Sequence, residues 1–153
     1  MLSSINLPID LQRILEKLID IPNNLRSATS KYLDESDTVN IHGEQSMQLD
    51  LFANELVKEA LFDLEFVHSI ASEEEDELIK LNADGKYLVC FDPLDGSSLI
   101  STNQAVGMVF AVYDNDKVFN SPLKDSLVMS FYFHIGKNNS LLKTLSTFVE
   151  ILL

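Results

Sequence analysis

Cysteine is nearly absent from this chain, and basic residues are few. The single cysteine, Cys90, excludes an internal disulfide, and such sparing use fits the reducing cytosol. Only 11 lysines and arginines stand against 24 aspartates and glutamates, which gives a formal net charge of -13. A surface this acidic repels nucleic acid and anionic membranes, and it would repel a phosphorylated metabolite unless divalent cations were held at the site. We therefore expect a cytoplasmic protein that binds neither nucleic acid nor membrane.

The chain also lacks a long uninterrupted hydrophobic run. Charged residues such as Asp10, Arg13 and Glu16 interrupt the leucine-rich stretch near the N-terminus, so the sequence predicts neither a signal peptide nor a membrane span. There is no internal repeat and no low-complexity linker. With 153 residues, of which 46% are hydrophobic, residues 1–153 are predicted to form one globular domain.

Hydrophobic periodicity predicts two amphipathic helices in the first half of the chain. The first covers residues 10–21, with Asp10 as its N-cap and Pro22 as its end. The second covers residues 46–64, and residues 23–43 between them are interpreted as loop or short helix. The apolar stripe of the second helix is predicted to be Leu49, Phe52, Ala53, Leu56, Val57, Ala60 and Leu64.

Three apolar segments predict strands, over residues 66–71, 86–91 and 105–113. Residues 126–135 fit both a helical and an alternating pattern, and periodicity does not decide between the two. Helices followed by strands are typical of the α/β class. We expect a layered sandwich in which helices pack on a mixed sheet.

An acidic cluster follows each of the first two predicted strands. Residues 72–77 have the sequence SEEEDE, and residues 92–98 have the sequence DPLDGSS. If the two strands are neighbours, both clusters lie at one edge of the sheet, and Glu73, Asp92 and Asp95 can converge. Three carboxylates at one point repel one another unless a cation lies among them, and oxygen ligands suit Mg²⁺ or Mn²⁺.

The second cluster also predicts a phosphate-binding turn. A turn leaves the carbonyl of Leu94 free as a further oxygen ligand. Gly96 permits a tight bend, and the N–H groups of residues 96–98 then form an anion site together with two serine hydroxyls. Cations on one side and N–H donors on the other suit phosphoryl transfer, which places charge on several oxygens.

The string DPLDGSS resembles the signature of the class I fructose-1,6-bisphosphatases, and its looser form marks the related inositol monophosphatases. The similarity includes GEQSMQLDLFANELVKEAL, IASEEEDE, GKYLVCF and AVGMVFAVYD. It runs from about Gly43 to Tyr113 and more weakly to about Lys143, and it covers about half of the family's usual length. The resemblance implies a fold of the sugar-phosphatase type and identifies residues 1–153 as an N-terminal domain of that family.

The resemblance also implies a role for individual residues. The metal ligands would be the carboxylates of Glu73, Asp92 and Asp95 together with the backbone carbonyl of Leu94. The segment that holds the reacting phosphate would be Asp95, Gly96, Ser97 and Ser98. Asp50 and Glu74 resemble the acidic pair that positions and deprotonates the attacking water, and Glu44 stands where the family has an acidic loop residue.

The activity implied by the resemblance is Mg²⁺-dependent hydrolysis of the 1-phosphate of fructose 1,6-bisphosphate, which yields fructose 6-phosphate in gluconeogenesis. Water would attack the phosphorus in line while two or three cations stabilise the leaving oxygen. The family is usually homo-oligomeric. A sedoheptulose-bisphosphatase remains an alternative, and so does an inositol-phosphatase-like enzyme, although Leu99 and Ile100 stand where that subfamily prefers asparagine and phenylalanine.

Several residues that often act in catalysis are predicted to be structural here. His42, His68 and His134 are interpreted as surface or hydrogen-bonded histidines, and Cys90 as a small buried residue. Residues 131–133, with the sequence FYF, are predicted to lie in the core.

The sequence departs from the family pattern in two ways, and the second favours a further alternative, an inactive fragment. Ser101 stands where the family usually has an acidic residue that supports the phosphate loop. The second departure is that the family's second half is absent from these 153 residues. That half supplies another glutamate ligand and the side chains that hold the sugar and its other phosphate. The chain ends on the apolar sequence FVEILL, which is unusual for a surface terminus and indicates an incomplete domain.

We therefore predict that the 153-residue polypeptide by itself has little or no bisphosphatase activity. Release of orthophosphate from fructose 1,6-bisphosphate in the presence of Mg²⁺ measures this directly. Turnover within about tenfold of a full-length family member would contradict the prediction.

Overall fold

The fold is built on a five-stranded mixed sheet with helices packed on one face. The computed structural model describes residues 7–25, 42–98 and 106–135, and of residues 42–46 it describes the backbone alone. The strands follow the order β2-β1-β3-β4-β5 across the sheet. Their bounds are β1 Val67–Ser72, β2 Ile79–Lys80, β3 Tyr87–Asp95, β4 Val106–Asp114 and β5 Leu127–Ile135. The predicted α/β class with a mixed sheet is confirmed.

The N-terminal helix begins and ends at different residues from those predicted. Helix α1 is Ile9–Leu18, and its N-cap residue is Pro8, whose carbonyl accepts a hydrogen bond from the Gln12 N–H at 3.1 Å. Asp10 is therefore not the N-cap; it lies in the first turn, where a carboxylate complements the helix dipole. The predicted end at Pro22 is also wrong. Pro22 is the second residue of a short helix α2, residues 21–25, where its missing N–H costs no helical hydrogen bond.

The long helix α3, His42–Phe62, packs on β1 and β3. Its innermost side chains recur at every fourth position, and they are Leu49, Ala53, Val57 and Leu61. Phe52 was predicted to share this stripe, but its side chain is 39% exposed because it lies at the border of the buried face. Two further short helices, α4 Asn115–Val118 and α5 Leu123–Ser126, connect β4 to β5.

The two strands that carry the acidic clusters are neighbours, as predicted. β1 and β3 pair in parallel, with Ile70 opposite Val89 and Ser72 opposite Phe91. β2 pairs antiparallel with β1 on the outer side, so the segment between the two clusters returns along the edge of the sheet. Both clusters therefore lie at the carboxyl ends of adjacent parallel strands. The second begins inside β3, which continues to Asp95 rather than ending at residue 91 as predicted.

The ambiguous segment near the end of the described chain is a strand. β5 pairs antiparallel with β4, with Phe131 opposite Phe110. Alternation along this strand places Met129, Phe131 and Phe133 in the core, which a helix could not do against a neighbouring strand. The backbone groups and the apolar face of β4 decided between two patterns that were equally good in sequence.

Stacked phenylalanines join the three consecutive strands β3, β4 and β5. The ring centroid of Phe110 lies 5.9 Å from that of Phe91 and 4.8 Å from that of Phe131, with nearly parallel planes. Each such pair contributes about 0.5–1.5 kcal/mol beyond the area it buries. Because Phe91 immediately precedes Asp92, the cluster anchors β3 directly before the acidic segment.

Some predictions concern residues outside the described part of the chain. These are residues 26–41 of the segment 23–43 that was interpreted as loop or short helix, the positions Leu99, Ile100 and Ser101, and everything beyond Ile135. The side chains of His42 and Glu44 also lie outside it. Among the described residues, no helix is both long and apolar enough to cross a membrane.

Gly85 is the position where the sheet tolerates no side chain. A Cβ atom there would lie 2.3 Å from the backbone nitrogen of His68 and 2.6 Å from the carbonyl carbon of Val67. Backbone atoms of a paired strand cannot move aside cheaply. We expect Gly85→Ala to lower the free energy of unfolding by about 1–3 kcal/mol, measured by urea denaturation. The neighbouring exposed residue provides a control, since Asp84→Ala should change stability little; equal effects of the two substitutions would contradict this account.

Candidate active site

The two acidic segments meet at one edge of the sheet. The N–H of Glu73 donates to the carbonyl of Phe91 at 3.1 Å, which extends the pairing of β1 with β3 one residue beyond the end of β1. The N–H of Glu74 donates to the Ser72 hydroxyl at 3.2 Å, so the chain turns immediately afterwards. Glu73 is thereby held beside Asp92, the next residue of β3.

Asp92 is the most crowded carboxylate of this edge. Its Oδ1 accepts a hydrogen bond from the Leu94 N–H at 2.9 Å, and its side chain is hydrogen-bonded to that of Glu73. Burial, followed by this contact with Glu73 and the charge of Asp95, raises the pKa of Asp92 to about 6, although the Leu94 N–H opposes the shift. Two carboxylates in contact need a shared proton or a cation.

Helix α3 brings a further carboxylate, Asp50, to the same place. Burial raises the pKa of Asp50 to about 6, and the charges of Glu74 and Asp92 act in the same direction. A hydrogen bond with the Ser97 side chain opposes this shift and ties the helix to the turn after β3. Asp50 and Glu74, predicted from the family pattern to act on water, are therefore close enough for the charge of Glu74 to act on Asp50.

The turn after β3 has the bend expected at its glycine. Gly96 has φ = 81°, a conformation that residues with a Cβ adopt only with strain. Leu94 is buried while Asp95 and Ser98 are exposed, so the turn emerges from the core within two residues. The backbone thus changes from an extended strand to an open loop at the position where the sequence predicts the phosphate.

A polar contact that sequence reasoning missed fixes the acidic segment to α3. Glu75 Oε1 accepts hydrogen bonds from Lys58 Nζ at 2.7 Å and from Asn54 Nδ2 at 2.8 Å. Asn54 is 1% exposed, and its Oδ1 has no partner among the described residues. Asp50, Asn54 and Lys58 recur at every fourth position of the helix, and this spacing was the available signal. The contact holds Glu75 away from the other carboxylates.

Tyr132 also approaches the site, contrary to the prediction that residues 131–133 all lie in the core. Phe131 and Phe133 are buried, but Tyr132 lies on the opposite face of the sheet and is half-buried. Alternation along a strand requires this reversal. Burial, followed by the charges of Asp95 and Asp92, raises the pKa of the Tyr132 phenol.

The remaining residues predicted to be structural take no part in this edge. Cys90 is half-buried, and burial raises the pKa of its thiol, which keeps it protonated. His68 Nδ1 lies 3.1 Å from the Ser69 hydroxyl, and His134 is exposed on β5.

The predicted metal ligands are neighbours, but they do not surround one point. Within residues 7–25, 42–98 and 106–135, no group of three or more His, Cys, Asp or Glu side chains is arranged to hold a metal ion. The structure shows contacts in pairs: Glu73 is hydrogen-bonded to Asp92, and Asp95 acts on Asp92 through its charge. The chemistry of these donors fits a hard divalent cation, which would offset both the burial and the repulsion that raise the pKa of Asp92. The metal site remains a prediction.

Comparison with known proteins identifies relatives of this chain. The family model for the fructose-1,6-bisphosphatase N-terminal domain matches residues 5–137. A class 1 fructose-1,6-bisphosphatase of Shewanella amazonensis is 47% identical over 87 residues, which are 57% of this chain and 27% of the relative. The corresponding protein of Colwellia psychrerythraea is 38% identical over 121 residues, which are 73% of this chain and 36% of the relative.

A solved structure shares the fold. The holo form of Leishmania major fructose-1,6-bisphosphatase superposes with a TM-score of 0.68 and 26% identity, over 84% of this chain and 41% of that one. The curated relatives of the preceding paragraph are much longer than this chain, which spans about a third of their length or less.

The raised pKa of Asp50 predicts how stability depends on pH when no divalent cation is present. An aspartate whose pKa rises on folding stabilises the fold only while protonated, so its contribution is complete below its usual pKa of about 3.9 and disappears as pH rises through about 6. We expect Asp50→Asn to be more stable than the parent at pH 7.5, by up to about 1 kcal/mol after solvent screening.

Thermal unfolding in EDTA between about pH 4 and pH 7.5 tests this expectation. The gain in Asp50→Asn should shrink as the pH falls through the window of the Asp50 titration. Asp63 is exposed and lies one residue beyond the C-terminal end of α3, so Asp63→Asn is the control. A gain that is independent of pH, or equal in the control, would show that the Asp50 charge is not the cause.

Proposed function

Because the chain belongs to the fructose-1,6-bisphosphatase family, we propose that its acidic edge is part of an active site that hydrolyses the 1-phosphate of fructose 1,6-bisphosphate. The product is fructose 6-phosphate, and the reaction serves gluconeogenesis in the cytoplasm. The observation that carries the proposal is the meeting of Asp50, Glu74 and Asp92 beside Ser97, at the carboxyl ends of β1 and β3. The relatives' names favour fructose 1,6-bisphosphate over other phosphorylated sugars.

Glu73, Asp92, Asp95 and the Leu94 carbonyl are the proposed ligands of Mg²⁺, or of Mn²⁺ in its place. All four are oxygen donors, and they lie on the ends of two adjacent strands. A bound cation would supply positive charge to the phosphate oxygens as charge develops on the leaving group. The protein itself holds these carboxylates close together despite their repulsion. The phenylalanine stack and the Lys58–Glu75 contact fix the segments that carry them.

Asp50 and Glu74 are the proposed residues that orient the attacking water and take its proton. A general base works best when its pKa lies near the working pH, and the pKa of Asp50 is raised to about 6. Helix α3 supplies one of these carboxylates and the turn after β1 the other, so a water between them would be held from two sides. The distance between Asp50 and Asp92 depends on how α3 packs on the sheet.

The turn over residues 95–98 is the proposed holder of the reacting phosphate. The positive φ of Gly96 turns the backbone so that successive N–H groups can point to one side. Ser97 links this turn to Asp50, so that the phosphate and the water would be positioned by connected groups. The phosphorylated sugar is thus the expected ligand, and the protein is expected to work as a homo-oligomer.

Calorimetric titration with Mg²⁺ tests the ligand set. We expect Asp92→Asn to lose measurable Mg²⁺ binding, because Asp92 interacts with both of the other carboxylates, Glu73 and Asp95. Asp116→Asn provides a matched control, since Asp116 is exposed in α4, after the opposite end of β4. Unchanged affinity in Asp92→Asn would remove Asp92 from the ligand set.

A second titration tests whether the site couples metal to phosphate. If both bind as proposed, orthophosphate should tighten Mg²⁺ binding and Mg²⁺ should tighten phosphate binding by the same factor. Mg²⁺ is therefore titrated with and without orthophosphate in the parent chain and in Ser97→Ala, which should show a smaller coupling. An Mg²⁺ affinity that does not respond to phosphate would argue against a phosphatase site.

A further inference from the structure

Tyr132 is placed on the face of the sheet that carries the acidic edge. It lies opposite Val109 on β4, and Val109 lies opposite Asp92 on β3. Residues in register across neighbouring strands point to the same face, so Tyr132 and Asp92 share one side of the sheet. That side is only partly covered, since Val109 between them is 40% exposed.

The ring of Tyr132 is tilted away from Val109, its partner on β4, and toward the turn after β3. Its Cζ and hydroxyl oxygen both lie 2.0 Å from the position that a Cβ on Gly107 would occupy. Gly107 is the partner of Asp95 across β3 and β4. The hydroxyl therefore lies above Gly107, beside the residue at which the proposed phosphate turn begins.

The missing side chain of Gly107 makes this position possible. Any larger residue would occupy the space of the phenol and force the ring away from Asp95. Packing alone would not require a polar atom here, and a phenylalanine ring would fill the same space. A tyrosine at this position adds one O–H donor to an edge whose other side chains are mostly carboxylates, which accept hydrogen bonds and do not donate them.

We propose that the Tyr132 hydroxyl is a further phosphate-binding group, which donates a hydrogen bond to an oxygen of the phosphate held by Asp95–Ser98. The inference rests on the proposed function, because it presupposes a phosphate at that turn. The N–H groups of the turn contact the phosphate from β3, and the phenol contacts it from across β4. Donors on two sides of an anion stabilise charge on more than one oxygen.

Tyr132→Phe isolates the hydroxyl, since it removes one atom and keeps the ring on Gly107. Orthophosphate is titrated calorimetrically into the chain at saturating Mg²⁺. We expect the substitution to weaken orthophosphate binding about tenfold, as for the loss of one hydrogen bond to a charged group. Mg²⁺ affinity without phosphate should stay the same, and the unfolding midpoint should stay within about 2 °C of the parent.

Tyr113→Phe is the matched control. Tyr113 is also a half-buried tyrosine, and it lies on the same face of the sheet as Tyr132. It belongs to β4, near the end of that strand remote from the acidic edge, across from Leu88. Its substitution should leave orthophosphate binding unchanged. Equal orthophosphate affinity in Tyr132→Phe and the parent would overturn the proposal. So would a parallel loss of Mg²⁺ affinity in Tyr132→Phe, because the tyrosine would then act by ordering the carboxylates.

Failure of the proposed function gives a different result. If the parent chain binds Mg²⁺ but no orthophosphate, the phosphate turn itself is refuted, and the role of Tyr132 is refuted with it. If the parent binds both and Tyr132→Phe binds orthophosphate as tightly as the parent, the site stands and Tyr132 is excluded from it. The parent titrations therefore decide whether the turn binds phosphate, and the variant then decides whether Tyr132 takes part.

Discussion

The parallel pairing of β1 with β3 is the constraint on which the candidate site depends. It places the ends of both strands at one edge, and the hydrogen bond from Glu73 to the Phe91 carbonyl extends it to the first acidic residue. Parallel strands cannot be joined by a tight hairpin, so the connection returns along β2 before β3 begins. Without this pairing the two acidic segments would have no reason to meet.

Bringing carboxylates together costs free energy, and the surrounding structure offsets it. Burial and mutual repulsion raise the pKa of both Asp50 and Asp92 to about 6, which means that the folded chain resists ionising them. Packing in the core holds them nevertheless: the phenylalanine stack anchors β3 immediately before Asp92, and the buried stripe of α3 carries Asp50. A site of this kind is unfavourable without a ligand, and a divalent cation would reverse the sign of the interaction.

The Lys58–Glu75–Asn54 contact and the position of Tyr132 show how much of the site is invisible in a motif. Glu75 belongs to the same acidic run as Glu73, but a lysine and an asparagine from α3 bind it instead. Tyr132 belongs to an apolar run, but alternation and a glycine on the next strand turn it toward Asp95. In both cases a residue's role follows from what lies opposite it, and one-dimensional patterns do not contain that information.

Local chemistry in the chain was sufficient to predict the α/β class, the strand cores and the bend at Gly96, because these depend on neighbours in sequence. The family motif and its position after a strand indicated the acidic edge for the same reason. The strand character of residues 127–135 and the exposure of Phe52 were decided by tertiary structure. Both depend on partners distant in sequence, such as β4 for β5, and only the folded chain brings these partners into contact.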